Sequence, residues 1–100
     1  MDAWELHIKH FSNYLKLERS LSPNSIEAYD RDVLKLKQFM EMTYPKVGPQ
    51  QVSSKQLQGF IGYINELGMS AFSQARILSG IKGFYKYLMF EELIDKDPTS

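Results

Sequence analysis

The chain has 100 residues, 12 Lys and Arg against 12 Asp and Glu, 43% apolar residues and no cysteine. That length suits one domain with a modest core, and the lack of cysteine excludes disulfide staples, thiolate zinc sites and thiol chemistry. Zero net charge argues against a strong stand-alone nucleic-acid binder, because backbone affinity comes largely from lysine and arginine. No apolar run approaches the roughly 18 residues of a membrane span, and Met1–His10 lacks the basic start and apolar core of a signal peptide. The chain therefore reads as cytoplasmic, with no membrane partner and no cofactor.

Helical periodicity runs through four segments, and no stretch alternates as a strand does. Helix one is expected from about Ala3 to Glu18, with Asp2 as N-cap and Glu5 closing a capping box. Its apolar stripe is Trp4, Ile8, Phe11 and Leu15, widened by Tyr14. Helix two starts at Ser22-Pro23, a capping serine followed by a proline whose missing N–H is harmless at the first position. Ile26, Tyr29, Val33, Leu36 and Met40 recur at helical spacing, while Asn24, Glu27, Arg31, Lys35 and Gln38 fall outward. Lys37 lies at the core-facing edge, where a lysine stem can snorkel. The helix is expected to end near Met42, before a loop from Tyr44 to Pro49 whose prolines resist a helix interior.

Helix three begins at Ser53, with Gln56 closing a capping box, and ends at Gly68. Its stripe is Leu57, Phe60, Ile61, Ile64 and Leu67. Helix four is capped by Ser70 and buries Phe72, Ala75, Leu78, Ile81, Tyr85 and Leu88, with Ile77 and Phe84 widening the stripe. By the same phase Gln74 falls nearer the core side. After Glu91 the helix frays, with a short extra turn at Leu93-Ile94, and Asp97-Pro98 ends regular structure.

The opposite face of helix four carries Arg76, Ser79, Gly80, Gly83 and Lys86, with Lys82 at its border. From Leu67 to Phe90 the only formal charges are Arg76, Lys82 and Lys86. Each helix-interior glycine costs about 1 kcal/mol relative to alanine, a cost tolerated where a backbone must come close to something. Three readings of this face stand. It approaches DNA, with the cations on phosphates or base edges; it is an ordinary solvated face; or its glycines admit another helix. On helix two, Glu27, Asp30, Asp32 and Glu41 dilute the field of Arg31 and Lys35; such acids either orient the basic residues beside them or keep the domain soluble, and solubility is the default reading.

No catalytic or metal constellation emerges. His7 and His10 lack a third ligand in reach, and none of the six tyrosines has an activating cluster in the sequence around it. Tyr29 and Tyr85 sit on core stripes, where a hydroxyl finds a partner at the core edge. Phosphate-loop and dinucleotide motifs are absent.

Three segments together resemble a known family: Phe11-Ser12-Asn13-Tyr14-Leu15, then Leu21 to Val33 (LSPNSIEAYDRDV), then Ala75 to Leu88 (ARILSGIKGFYKYL), with Ile94 to Thr99 as an exit. In order and spacing they resemble the N-terminal core-binding domain of the tyrosine recombinases, in particular the bacterial XerC/XerD type. The resemblance covers nearly the whole chain. It implies an all-α, four-helix SAM-like domain with a short extra C-terminal turn, residues 1–97 forming the DNA-binding domain and 98–100 starting a linker to an absent catalytic domain. It implies a double-stranded recombination site as partner, same or paired recombinase subunits in a tetramer, and an FtsK-type translocase acting through the catalytic domain.

The resemblance also implies that Asn24, Arg31 and Lys35 on helix two and Ser73, Gln74, Arg76, Ser79, Lys82 and Lys86 on helix four approach DNA. Backbone N–H groups near Ser73 and Gln74 are further candidates to receive a phosphate. The catalytic tyrosine and its arginine–histidine–arginine cluster belong to the absent domain, so this fragment is not itself an enzyme. Relatives often carry bulkier or more basic residues at the positions of Gly80 and Gly83, which implies a modest contribution to affinity. Two alternatives remain beside a Xer-like recombinase acting in chromosome dimer resolution: the core-binding domain of a phage or conjugative-transposon integrase, and a helical protein-interaction module without DNA binding.

Overall fold

The computed structural model describes residues 1–100 as an all-helical domain without strands. Helix α1 spans Ala3–Leu17, α2 Pro23–Thr43, α3 Ser54–Glu66 and α4 Ala71–Phe90. A single 3-10 turn, Pro49–Gln51, interrupts what the sequence presents as a plain loop.

Polar side chains set the starts. Asp2 accepts from the Glu5 amide at 2.8 Å, Ser22 from the Ser25 amide and Ser70 from the Ser73 amide. These are the orphan donors of a first helical turn. At α3 the capping box is reciprocal, since Ser53 accepts from the Gln56 amide while Gln56 Oε1 accepts from the Ser53 amide. The box expected at α1 is only half made. The Glu5 carboxylate turns away to Lys37, whose ammonium sits 3.4 Å from Glu5, 3.7 Å from Asp2 and 4.0 Å from Glu41, tying α1 to α2.

Left-handed residues follow three of the helices, Ser20 after α1 at φ 52° among them. Gly68 closes α3 at φ 79°, and α4 is closed at Glu92, with φ 59°. There the Leu93 amide donates to the Leu88 carbonyl and the Glu92 amide to that of Met89, the paired pattern of a Schellman motif. This corrects the expected extra turn: Leu93-Ile94 is not helical, because the chain reverses at Glu92. The segment then folds back. Gln50 donates to the Leu93 carbonyl, Ser54 to that of Pro98, and Ile94 packs against the core.

The core is one cluster to which all four helices contribute. Phe11, Leu36, Met40, Phe60, Ile64, Ile81, Phe84 and Leu88 are essentially inaccessible, each such side chain contributing about 1.5–3 kcal/mol by burial. Tyr85 is also buried, and its hydroxyl donates to the Pro49 carbonyl at 2.8 Å, which fixes the 3-10 turn against α4.

The expected stripe of α4 holds from Ile77 onward and fails in the first turn. Its buried arc is Ile77, Gly80, Ile81, Phe84, Tyr85, Tyr87 and Leu88. Phe72 is 80% exposed, and Ala75 is exposed as well. On α3, Leu67 lies outside the stripe expected to hold it.

Candidate nucleic-acid interface

The close approach of α2 to α4 organises the candidate site. Gly80 is buried, and a methyl group there would overlap the Asp32 carboxylate and come within 2.8 Å of Asp32 Cβ. At Gly83 it would lie 3.2 Å from the Tyr29 ring. Of the three readings of the glycine face, packing of a neighbouring helix is the one realised at Gly80 and Gly83. The two residues do not form a thin surface awaiting a ligand.

The slot over Gly80 holds a carboxylate. Asp32 is 2% exposed and takes both terminal nitrogens of Arg76, at 2.6 Å to Oδ1 and 3.3 Å to Oδ2. Burial pushes the Asp32 carboxyl above its ordinary value, although Arg76 and, more distantly, Arg31 and Lys35 pull it down. The solubility reading of the α2 acids is thus wrong for Asp32. It also fails for Asp30, which accepts from Ser12 on α1 and is raised chiefly by burial. The sequence names Asp32 among the α2 acids but not as a site residue. The available signal was its place beside Val33 on the buried side of α2, together with a glycine one helical turn after an arginine on α4.

Ser25, Ala28, Tyr29, Asp32, Arg76, Ser79 and Gly80 line an open cleft of about 220 Å³ between α2 and α4. Ser79 and the half-exposed Arg76 guanidinium sit at its mouth. Arg31 and Lys35 are close enough for their charges to reach Asp32. The structure therefore brings Arg76 and Ser79 to one opening, with Arg31 and Lys35 on α2 outside its lining. Lys82 and Lys86 are exposed further along α4 and flank separate clefts, Lys82 beside Ile61, Leu78 and Pro98, Lys86 beside Tyr29, Tyr87 and Phe90. Every ion pair involves either Lys37 or Arg76, so Arg31, Lys35, Lys82 and Lys86 hold no carboxylate partner. Asn24 is exposed in the first turn of α2.

At the start of α4 the candidate groups already have partners within the chain. Gln74 donates to the Met69 carbonyl at 2.8 Å and to Asn65 Oδ1 at 3.3 Å, so its side chain fastens the α3–α4 corner. The amides of Ser73 and Gln74 are already given to Ser70 Oγ and to the Ser70 carbonyl, so neither is free to receive a phosphate. The Ser73 hydroxyl is paired with that of Ser70.

Residues 8–92 match the family described as phage integrase, N-terminal SAM-like domain. The chain belongs to that family. It is 32% identical over 91 residues to tyrosine recombinase XerD of Listeria monocytogenes serotype 4b, covering 91% of this chain and 31% of that protein. It is likewise 32% identical over 96 residues to tyrosine recombinase XerC of Pseudomonas savastanoi pv. phaseolicola, covering 96% and 32%. XerD of Staphylococcus saprophyticus is 34% identical over 93 residues, covering 92% and 31%. The chain thus spans about a third of the length of the curated relatives it matches. No solved structure matches it. No helix is long and apolar enough to cross a membrane.

Proposed function

We propose that this chain is the DNA-binding part of a site-specific tyrosine recombinase, closing on one side of a duplex while another part of the same protein cleaves and rejoins strands through a tyrosine. The observation that carries the reading is a set of basic side chains on α2 and α4. Arg31, Lys35, Lys82 and Lys86 stand without carboxylate partners in a chain of zero net charge. The match to the integrase SAM-like family along most of the chain supports it.

Residues 1–97 act as this domain in the proposal, and 98–100 lead towards the cleaving part. Assembly is with further recombinase subunits on DNA. The likeness to XerC and XerD favours chromosome dimer resolution over mobile-element integration, with a translocase of the FtsK kind acting through the cleaving part. The cleaving tyrosine lies outside these residues. Tyr85, the most deeply buried tyrosine here, has its hydroxyl committed to Pro49 and its pKa raised by burial and by Asp97, the opposite of an activated nucleophile.

The test is binding of this chain, and of the recombinase containing it, to duplex DNA across a salt series. Affinity falling linearly with log salt supports the reading. Lys82→Glu and Lys86→Glu are expected to weaken binding and flatten the slope while leaving thermal stability unchanged. Two folded proteins that bind no duplex at low salt would overturn the proposal in favour of a protein-interaction module.

A further inference from the structure

We infer that Asp32 and Gly80 form a positioning device that turns Arg76 from a phosphate-seeking cation into a reader of base edges. The inference rests on the DNA-binding reading above.

Arg76 differs from the other cations of this face. Arg31, Lys35, Lys82 and Lys86 are unpaired, whereas Arg76 shares its charge with a buried carboxylate through both terminal nitrogens. The pair is neutral as a unit, so it adds little to the counterion release that drives phosphate binding. Its guanidinium still has donors to offer, because five N–H groups are available and the contact with Asp32 uses two. The plane of the fork is also held. Asp32 sits in a slot that exists only because residue 80 lacks a Cβ, and the cleft at whose mouth Arg76 lies opens between the two helices. A planar donor set with fixed orientation and little net charge suits a neutral, directional acceptor pair such as the guanine edge in the major groove. A phosphate would be served as well by a mobile lysine.

The separation between affinity and selectivity is measurable with the full chain. The probes are a fixed mixed-sequence duplex for the salt slope and a duplex library with a randomised centre for base preference. Arg76→Lys keeps the ion pair and loses the fork. It is expected to leave the salt slope unchanged and to lower the preference at one base pair by roughly five- to a hundredfold. Asp32→Asn frees the arginine. It is expected to steepen the slope by about 0.9, the contribution of one newly available charge, while the same preference falls. The double variant D32N/R76Q keeps the slot filled with a neutral pair and provides a readout if the single Asp32→Asn variant unfolds. It is expected to show the wild-type slope without the preference.

A D32N/R76Q protein that loses about one unit of slope and retains the preference would identify Arg76 as an ordinary phosphate contact and overturn the inference. So would an Arg76→Lys variant with its preference intact, which would mean that the pair only braces α2 against α4. If the wild-type chain shows neither salt-dependent binding nor an enriched sequence, the DNA-binding reading itself has failed, and the inference falls with it.

Discussion

Gly80 carries more of the architecture than a residue without a side chain ordinarily does. In an exposed helix, exchanging glycine for alanine gains about 1 kcal/mol. At position 80 the added methyl meets the Asp32 carboxylate and its Cβ, and overpacking of this kind costs about 1–3 kcal/mol. Gly80→Ala is therefore expected to destabilise by up to about 2 kcal/mol net. Gly62→Ala on the exposed side of α3, with nothing within 4 Å of the new methyl, is expected to stabilise by about 1 kcal/mol. Denaturant melts of the two variants give opposite signs if the slot is as described.

Tyr85 gives the residue scale a pH signature. Its hydroxyl is buried against the Pro49 carbonyl, and its pKa stands above the ordinary 10.0. Above pH 10 the unfolded chain releases this proton while the folded one keeps it, so the folded state binds more protons and stability falls as pH rises. Below 10 the residue gives no pH dependence. Tyr85→Phe is expected to lose about 1 kcal/mol at neutral pH with the hydrogen bond and to show a shallower decline above pH 10 in melts run from pH 8 to 11. Burial also raises Tyr87, which retains part of the decline.

At the scale of elements, caps and phase behave differently. The starts at Asp2, Ser22, Ser53 and Ser70 were legible because a cap is local: a side-chain oxygen meets an amide three residues on, whatever packs nearby. Ser53→Ala is expected to cost about 1 kcal/mol, read as a lowered midpoint of thermal unfolding. The first turn of α4 departs from the expected stripe because Phe72 and Ala75 are apolar residues that face outward, while Gly80 is a buried residue with no apolar side chain to announce it. Phe72→Ser is accordingly expected to stay within about 0.5 kcal/mol of wild type, while Ile77→Ala loses about 2–5 kcal/mol. Comparable losses for the two would mean that the buried stripe extends to Phe72 in the first turn.

Over the whole molecule, the segment after α4 belongs to the fold. Ile94 packs on the core, and Leu93 and Pro98 accept hydrogen bonds from Gln50 and Ser54. Removing residues 94–100 is expected to destabilise the domain by on the order of 2 kcal/mol, summed from the half-buried Ile94 side chain and the Ser54–Pro98 hydrogen bond, as read in a chemical denaturation midpoint. The charge balance is also a property of the whole. A chain of zero net charge presents an unpaired basic face because two acids, Asp2 and Glu5, are drawn with Glu41 around Lys37, while Asp32 is buried under Arg76. Several of the acids that seemed to dilute the basic face therefore point elsewhere.

The amino-acid order alone determined the four helices, their capping residues and the all-helical class, because periodicity and caps depend on neighbours within a turn or two. It also placed Arg31, Lys35, Ser79, Lys82 and Lys86 outward, since uncompensated polar side chains stay in water. Tertiary structure decided which glycines admit a helix, that Gln74 fastens the α3–α4 corner, and that Asp32 lies beneath Arg76. These depend on residues 44 apart in the case of Asp32 and Arg76, and on the angle at which two helices meet. No local pattern encodes that angle, because it is settled by the fit of their side chains against each other.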